Sequence, residues 1–393
     1  MKRTKYSFLI SGVLILIVSM GIGRFAYTPM LPLMQHDNDF SDKIAGFLAS
    51  SNYLGYLLGA LLAGNKLLKN YRLHLIKAFL VCSVLTTIGM GLTQSIPLWN
   101  LLRFLSGFSS AYVLVLTSGF VLEQLMILNK SHWTGIFYGG VGTGIFLSSL
   151  LIPIFNQFYG WNGAWIGLGV SSVFMAIFAW RGLQNTKLTI VHQEKKETTL
   201  NIPPEKWILW LTVAYGLEGL GYIVTGTFIV AIAETSPAFT IEASRVWLIA
   251  GLAAVPSCIG WSRYAKKKGY VFALVLAFLL QAIGIIIPVF WNSLIGISIS
   301  GALFGATFMG ITSLATTLGQ KINPEKSQRT ISGLTAIYAM GQLIGPLAAG
   351  YLTSIYNSYD IALIMASGVV GLGSLFLMSG LKYEKQILVQ KNQ

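Results

Sequence analysis

Twelve runs of mainly apolar residues, each long enough to cross a bilayer as a helix, are separated by polar breaks along the chain. They cover 7–34, 44–68, 73–93, 97–122, 133–157 and 163–183, then 207–232, 246–262, 271–290, 294–318, 330–355 and 361–381. About 20 such residues suffice to span the hydrocarbon core. The longest break, residues 184–205 (QNTKLTIVHQEKKETTLNIPPE), is polar, mixed in charge and closed by Pro203 and Pro204. That composition suits a linker. It divides the chain into an N-terminal half, 1–183, and a C-terminal half, 206–393, so the expected fold is an all-α membrane protein of twelve transmembrane helices in two six-helix halves. The first run has the basic start of a signal peptide. It stays apolar through Gly21 to Met34 without a small-residue cleavage site, so it is expected to remain as a helix.

Composition supports the membrane reading. Of 393 residues, 54% are apolar and only 10% charged, against about 25% charged in a soluble domain, and a mean hydropathy of +0.68 excludes a disordered chain. The net charge of +14 leaves two readings, a nucleic-acid patch or a topological bias, and the position of the cations separates them. With the N-terminus inside, 23 of the 27 Lys and Arg fall in cytoplasmic segments, only Lys43 and Arg245 fall outside, and Arg24 and Arg103 lie within helices. Asp37, Asp39, Asp42, Glu234, Glu242 and Asp360 go to the outer side. The cations are spread over short loops rather than gathered on one face, so no nucleic-acid partner is expected. The expectation is a multi-pass protein of the bacterial cytoplasmic (inner) membrane, with both termini cytoplasmic.

A shift of 198 residues sets Gly21-Ile22-Gly23 on Gly219-Leu220-Gly221, Leu105 and Gly107 on Leu303 and Gly305, and Gly135 on Gly333. Three helix pairs agree at one offset, which supports a duplicated, pseudo-symmetric architecture. The same offset sets Lys69 on Lys267, each in a basic loop after the second helix of its half.

Two six-helix halves, those two basic loops (the second reading GWSRYAKKKG at 260–269) and Arg103 to Gly107 in helix 4 together resemble the major facilitator superfamily. GIGRFAYTPMLPLM at 21–34, YGGVGTGI at 138–145 and EGLGYIVTGTF at 218–228 resemble its YbfB/YjiJ-like branch. The resemblance implies a secondary active transporter working by alternating access, in which a helix 4 Arg is associated with proton transfer in exporters. The loop after helix 2 departs from the superfamily pattern. It reads Gly64-Asn-Lys-Leu-Leu-Lys-Asn-Tyr-Arg72, without the Asp and Arg-Lys pair that form the usual cytoplasmic gate.

Arg24 carries the most functional weight, because an Arg deep in a helix costs several kcal/mol unless something offsets it. Two readings stand. It is satisfied by carbonyls opened by Pro29 and Pro32 or by a buried pair, or it holds an anionic substrate group, since a guanidinium forks onto a carboxylate. Glu218, mid-helix and one turn before Tyr222, which the repeat equates with Arg24, is either its static ion-pair partner or a proton-coupling carboxyl. Arg103 either takes part in proton transfer or snorkels to the outer surface. Glu123, at the inner end of helix 4, suits a gate or cap partner.

Polar and aromatic groups outline a mid-membrane cavity: Tyr27 and Thr28, Asn52 and Tyr53, Tyr138, Tyr215, Tyr222 with Thr225 and Thr227, and Tyr338 with Gln342. The substrate-binding set expected from these is Arg24, Tyr27, Asn52, Tyr138, Tyr222, Thr225 and Gln342, with Glu218 and Arg103 for protons. The glycines of helix 5, with Gly341, Gly345 and Pro346 of helix 11, fit surfaces on which the halves rock. No phosphate-cradling G-x-x-x-x-G-K-[ST] is present, His36, His74, His132 and His192 lack metal spacing, and Cys82 and Cys258 lie far apart in apolar runs. No cofactor, metal or enzymatic activity is expected. The expected protein is a monomeric secondary transporter of a small molecule, an anion or carboxylate by the Arg24 reading, with protons as coupling ion. The alternatives are a drug or metabolite exporter of the same fold and a non-transporting receptor or sensor. A sensor would call for a larger soluble appendage than tails ending at Tyr6 and running from Leu381 to Gln393.

Overall fold

The computed structural model describes residues 6–64, 71–128, 130, 133–183, 202–234, 243–324 and 326–384. They form helices throughout: α1 Ser7–Asn38, α2 Asp42–Ala63, α3 Arg72–Met90 and α4 Ile96–Ile127. The run Thr134–Leu183 is broken at Tyr159 and Gly160, where Gly160 takes a φ of 63°. That left-handed backbone is open to glycine at little cost, and it separates α5 (134–158) from α6 (161–183). The second half follows as α7 Ile208–Glu234, α8 Ser244–Lys268, α9 Tyr270–Phe290, α10 Leu294–Ile322, α11 Ser327–Tyr356 and α12 Asp360–Met378. Of the expected linker, 184–201 lies outside the described residues; the rest leads into a single 3-10 turn, Glu205–Trp207. Large apolar side chains such as Leu61, Leu85, Phe158, Phe174, Ile295 and Leu375 stand exposed, as a lipid-facing surface requires.

The two halves use the same packing scheme. In the first, α2 and α3 pack on α4, α3 on α6 and α1 on α5; in the second, α8 and α9 pack on α10, α9 on α12 and α7 on α11. Lipid tails provide no hydrophobic drive between helices, so small residues that let backbones approach provide dispersion contacts instead. Gly107 of α4 sits on the Asn52 carbonyl of α2, and Gly305 of α10 on the Ala250 carbonyl of α8. These are matching crossings under the 198-residue shift.

The halves meet along α1–α7, α2–α11 and α5–α8. Gly139 and Gly142 of α5 face Val255 and Ala254 of α8, whereas Gly140 and Gly144 face α1. One expectation is corrected here. Gly341 and Gly345 pack against Gly216 and Leu220 of α7, inside the second half, and of that trio only Pro346 reaches across, its carbonyl against Gly46 of α2. A helical stripe of small residues does not say which neighbour it faces, and on α11 it faces the helix of its own half.

A Cβ at Gly107 would overlap the Asn52 carbonyl oxygen, whereas Gly368 of α12 has open space at the same point. Gly107→Val is therefore expected to destabilise the purified protein by about 1–3 kcal/mol, the usual range for overpacking. Gly368→Val is expected to leave the thermal unfolding midpoint in detergent nearly unchanged.

Candidate functional site

The site is built on an irregularity in α1. Residues Ile17–Ile22 form a π-helical stretch, with Gly23 N–H bonding the Val18 carbonyl at 2.8 Å and Phe25 N–H the Met20 carbonyl at 3.0 Å. The regular helix resumes at Tyr27. Such a bulge rotates the residues that follow it and frees carbonyls from the i to i−4 ladder. Helix α4 supplies the missing donors: Ser106 Oγ donates to the Gly23 carbonyl at 2.7 Å, and Arg103 NH1 lies 3.5 Å from the Arg24 carbonyl. The Arg103 guanidinium also lies 4.3 Å from the centre of the Tyr27 ring, and Asn52 Nδ2 donates to the Arg103 carbonyl at 2.9 Å. Arg103 is 1% exposed, so it does not snorkel; it holds the distorted turn of α1.

Arg24 points between the halves and is 3% exposed. Its Cζ lies 3.9 Å from the centre of the Tyr56 ring, 4.9 Å from Tyr53 and 5.2 Å from Phe25, while Tyr222 and Tyr338 of the other half lie near it. Ring faces attract a desolvated cation by about 2 kcal/mol. Nε and NH2 have no hydrogen-bond partner, and among the described residues no carboxylate pairs with the guanidinium. Carbonyls opened by Pro29 and Pro32 do not take up those two nitrogens, and Arg24 and Glu218 do not form an ion pair.

Opposite Arg24 the second half presents a layer of near-parallel rings. Tyr222 stacks on Tyr338, Phe304 and Phe308 at centroid distances of 5.5, 6.0 and 6.1 Å, with interplanar angles of 10–17°. Tyr215 continues the layer beyond Tyr338, and Trp247 flanks Phe304. Gln342 Nε2 donates to the Tyr222 hydroxyl. Its Oε1, the Asn52 Oδ1, the Thr225 and Thr227 hydroxyls and Trp247 Nε1 are buried without partners. Thr28 donates across the interface to the Gly226 carbonyl.

The expected residues do not all gather at one point. Arg24, Tyr222 and Gln342 come together; Asn52 keeps a free oxygen behind Arg103; Thr225 lies a turn beyond Tyr222. The Tyr27 hydroxyl is engaged by the Ala45 carbonyl at 3.0 Å. Tyr138, half-buried, packs at a tilt on Phe137. Glu218 faces the interior of the second half, beside Gln281 of α9 and Tyr338. Neither neighbour completes a hydrogen bond to the carboxyl, and both Gln281 amide atoms are also unpaired. Tyr56, Phe25, Trp247, Phe304, Phe308 and Gln281 join these surroundings although the sequence did not single them out. The Tyr53/Tyr56 spacing of three on α2 is the available signal for one of them.

Polar contacts stand at both ends of the bundle. At one end, between the halves, Asp42 of α2 accepts from Tyr359 OH at 2.6 Å and also from Gln35 Nε2 at 3.0 Å, and Ser50 Oγ donates to the Leu343 carbonyl at 2.8 Å. Burial and the Asp42 carboxylate both push the Tyr359 hydroxyl above its ordinary pKa, so it stays a donor. On the other side residues 65–70 of the departed loop lie outside the described residues. Arg72, which follows them, pairs with Glu123 of α4 at 2.7 Å.

A polar, aromatic centre thus lies between two similar sets of six membrane-length helices. The chain belongs to the family whose model is described as the uncharacterised MFS-type transporter YbfB, which matches residues 16–378. It is 24% identical over 279 residues to the sialic acid transporter NanX of Escherichia coli K12, covering 68% of this chain and 67% of that protein. It is 20% identical over 404 residues to the cis,cis-muconate transport protein of Acinetobacter baylyi, covering 96% and 91%. Among solved structures, a point mutant of the nucleoside transporter NupG superposes with a TM-score of 0.72 at 12% identity, covering 95% of this chain and 99% of that one. The protein is a multi-pass secondary transporter of small molecules of the major facilitator fold, and not an enzyme.

Glu123→Gln removes the counter-charge of the Arg72 guanidinium, whose side chain is only 8% exposed. The expected loss of stability is about 1–2 kcal/mol, below that of a fully buried pair because Glu123 is itself open to solvent. The exchange Arg72→Glu with Glu123→Arg is expected to recover part of it in a double-mutant cycle on unfolding in detergent.

Proposed function

We propose that this transporter moves a small carboxylate-bearing anion across a bacterial cytoplasmic membrane, coupled to protons, as a monomer with both termini in the cytoplasm. The two bodies that rock are 1–183 and 206–393, joined by 184–205. The observation that carries the reading is the Arg24 guanidinium: buried, held over tyrosine faces, with two nitrogens unpartnered and, among the described residues, no carboxylate paired to it. A guanidinium so placed matches the two oxygens of a carboxylate. The names of the two relatives reported above fit this, since sialic acid and cis,cis-muconate are a carboxylic acid and a carboxylate.

In this reading Arg24 binds the carboxylate, and Tyr222, Gln342, Asn52 and Thr225 complete its polar surroundings. Tyr138 contributes from α5, and Tyr27 orders Arg103. Glu218 carries the coupled proton, because a carboxylate with both oxygens unpaired at this depth is too costly to keep charged. Arg103 links proton and substrate events through the Arg24 carbonyl.

Counterflow of radiolabelled benzoate and other small carboxylates into proteoliposomes tests the substrate class irrespective of direction. Arg24→Ala is expected to abolish it with folding retained, and Arg24→Lys to keep a reduced fraction; unaltered carboxylate counterflow by Arg24→Ala sinks the assignment. Glu218→Gln is expected to keep counterflow and lose accumulation driven by a pH gradient. Full pH-driven accumulation by that variant removes Glu218 from the coupling step. Orientation is read separately. In a chain lacking Cys82 and Cys258, a cysteine at Lys267 is expected to react with an impermeant maleimide only after permeabilisation, and one at Asp39 in intact cells.

A further inference from the structure

The packing of α3 on α6 differs from that of its counterpart, α9 on α12, in one place. In the second half the pair is fastened from its middle to its inner end. Ser367 Oγ donates to the Ala282 carbonyl at 2.9 Å and Ser374 Oγ to the Val275 carbonyl at 3.4 Å, and Glu384, just past α12, accepts from the Val271 and Phe272 amides at 2.8 and 3.0 Å. In the first half the outer end is fastened in its own way. Asn162 Nδ2 donates to the Gly91 carbonyl at 3.0 Å, and Gly169 lies against Ile88. Beyond that crossing the two helices leave an open groove of about 480 Å³, lined by Val81, Val84, Leu85, Val173, Ala176 and Ile177. The 198-residue shift sets Lys77 on Val275 and Ala176 on Ser374. The positions that close the second half are thus a cation and a methyl group in the first.

The wedge is apolar along its length and cationic at one end. Lys77 Nζ lies 4.7 Å from the centre of the Trp180 ring, and Arg181 lines the same end. From Lys77 to Ile88 α3 rises about 16 Å at 1.5 Å per residue, which matches one leaflet of a hydrocarbon core about 30 Å thick. Cations and a tryptophan at one end of such a wedge stand at headgroup level, where both residue types anchor.

The geometry points to a binding site for one anionic phospholipid between α3 and α6, with an acyl chain in the wedge and its phosphate at Lys77 and Arg181. The topology proposed above makes this the cytoplasmic leaflet, but the site does not depend on that assignment or on the cargo. The bound lipid supplies the packing that Ser374 supplies in the second half. It also braces α3 within two turns of Arg72, at the Arg72–Glu123 lock.

The test uses the full chain in detergent, with phosphatidylglycerol, phosphatidylcholine or inorganic phosphate added, followed by thermal unfolding and native mass spectrometry. Phosphatidylglycerol is expected to bind more tightly and raise the unfolding midpoint more than phosphatidylcholine, and phosphate alone to do neither. Lys77→Gln is expected to weaken phosphatidylglycerol binding about fivefold, the attraction of one cation for an anionic surface, while leaving phosphatidylcholine unchanged. Ala176→Phe, which fills the wedge, is expected to reduce the binding of both. Equal affinity for the two lipids, stabilisation by phosphate alone, or phosphatidylglycerol binding unaltered in both variants overturns the site. Arg24→Ala, which tests the cargo, is expected to leave all of these readouts at wild-type values.

Discussion

A guanidinium offers five N–H donors and cannot shed its charge, so placing Arg24 at membrane depth dictates what its neighbours must be. A carboxylate would neutralise it and leave nothing for a substrate to do. Tyr53, Tyr56 and Phe25 instead offer ring faces that attract the charge without using its hydrogen bonds. The charge is held, and two nitrogens, carrying three of the five donors, are left over. The same constraint explains the irregular turn of α1. Rotating Arg24 inward frees the carbonyls of Gly23 and Arg24, and α4 answers them with Ser106 and Arg103.

That arrangement makes the two intramembrane arginines unequal. Arg103 has taken a structural partner set, consisting of a ring, a carbonyl and the Asn52 amide on its own carbonyl. Arg24 has taken none that a substrate could not replace. Glu218 lies apart from both, in the interior of the second half, with Tyr338 between it and the ring layer that faces Arg24.

Interfaces between the halves are made of small residues and single hydrogen bonds: Thr28 to Gly226, Ser50 to Leu343, Tyr359 to Asp42. Each is worth about 1 kcal/mol, more where a charge takes part. Backbone also approaches backbone, both inside each half, as at Gly107 on Asn52 and Gly305 on Ala250, and across the seams, as at Gly46 on Pro346 and Gly142 on Val255.

Hydropathy and the distribution of cations were sufficient to read twelve helices in two halves, because the bilayer allows few solutions for an apolar segment and every span must satisfy its own backbone; the resemblance to a family rested on the strings at 21–34, 138–145 and 218–228. That Arg24 needs special surroundings was legible for the same reason: a charge in an apolar run has no cheap position. What it touches was not. Whether it met Glu218, carbonyls or rings depended on helix rotation set by a π-helical turn, which leaves no mark in the pattern of apolar residues. The sidedness of Gly341 and Gly345, the burial of Arg103 and the ring layer from α8 and α10 were equally hidden, since those contacts join residues far apart along the chain. The chain by itself determined that a cation would sit in the membrane; only the packing of α1, α2 and α4 decided that its hydrogen bonds would be left unspent.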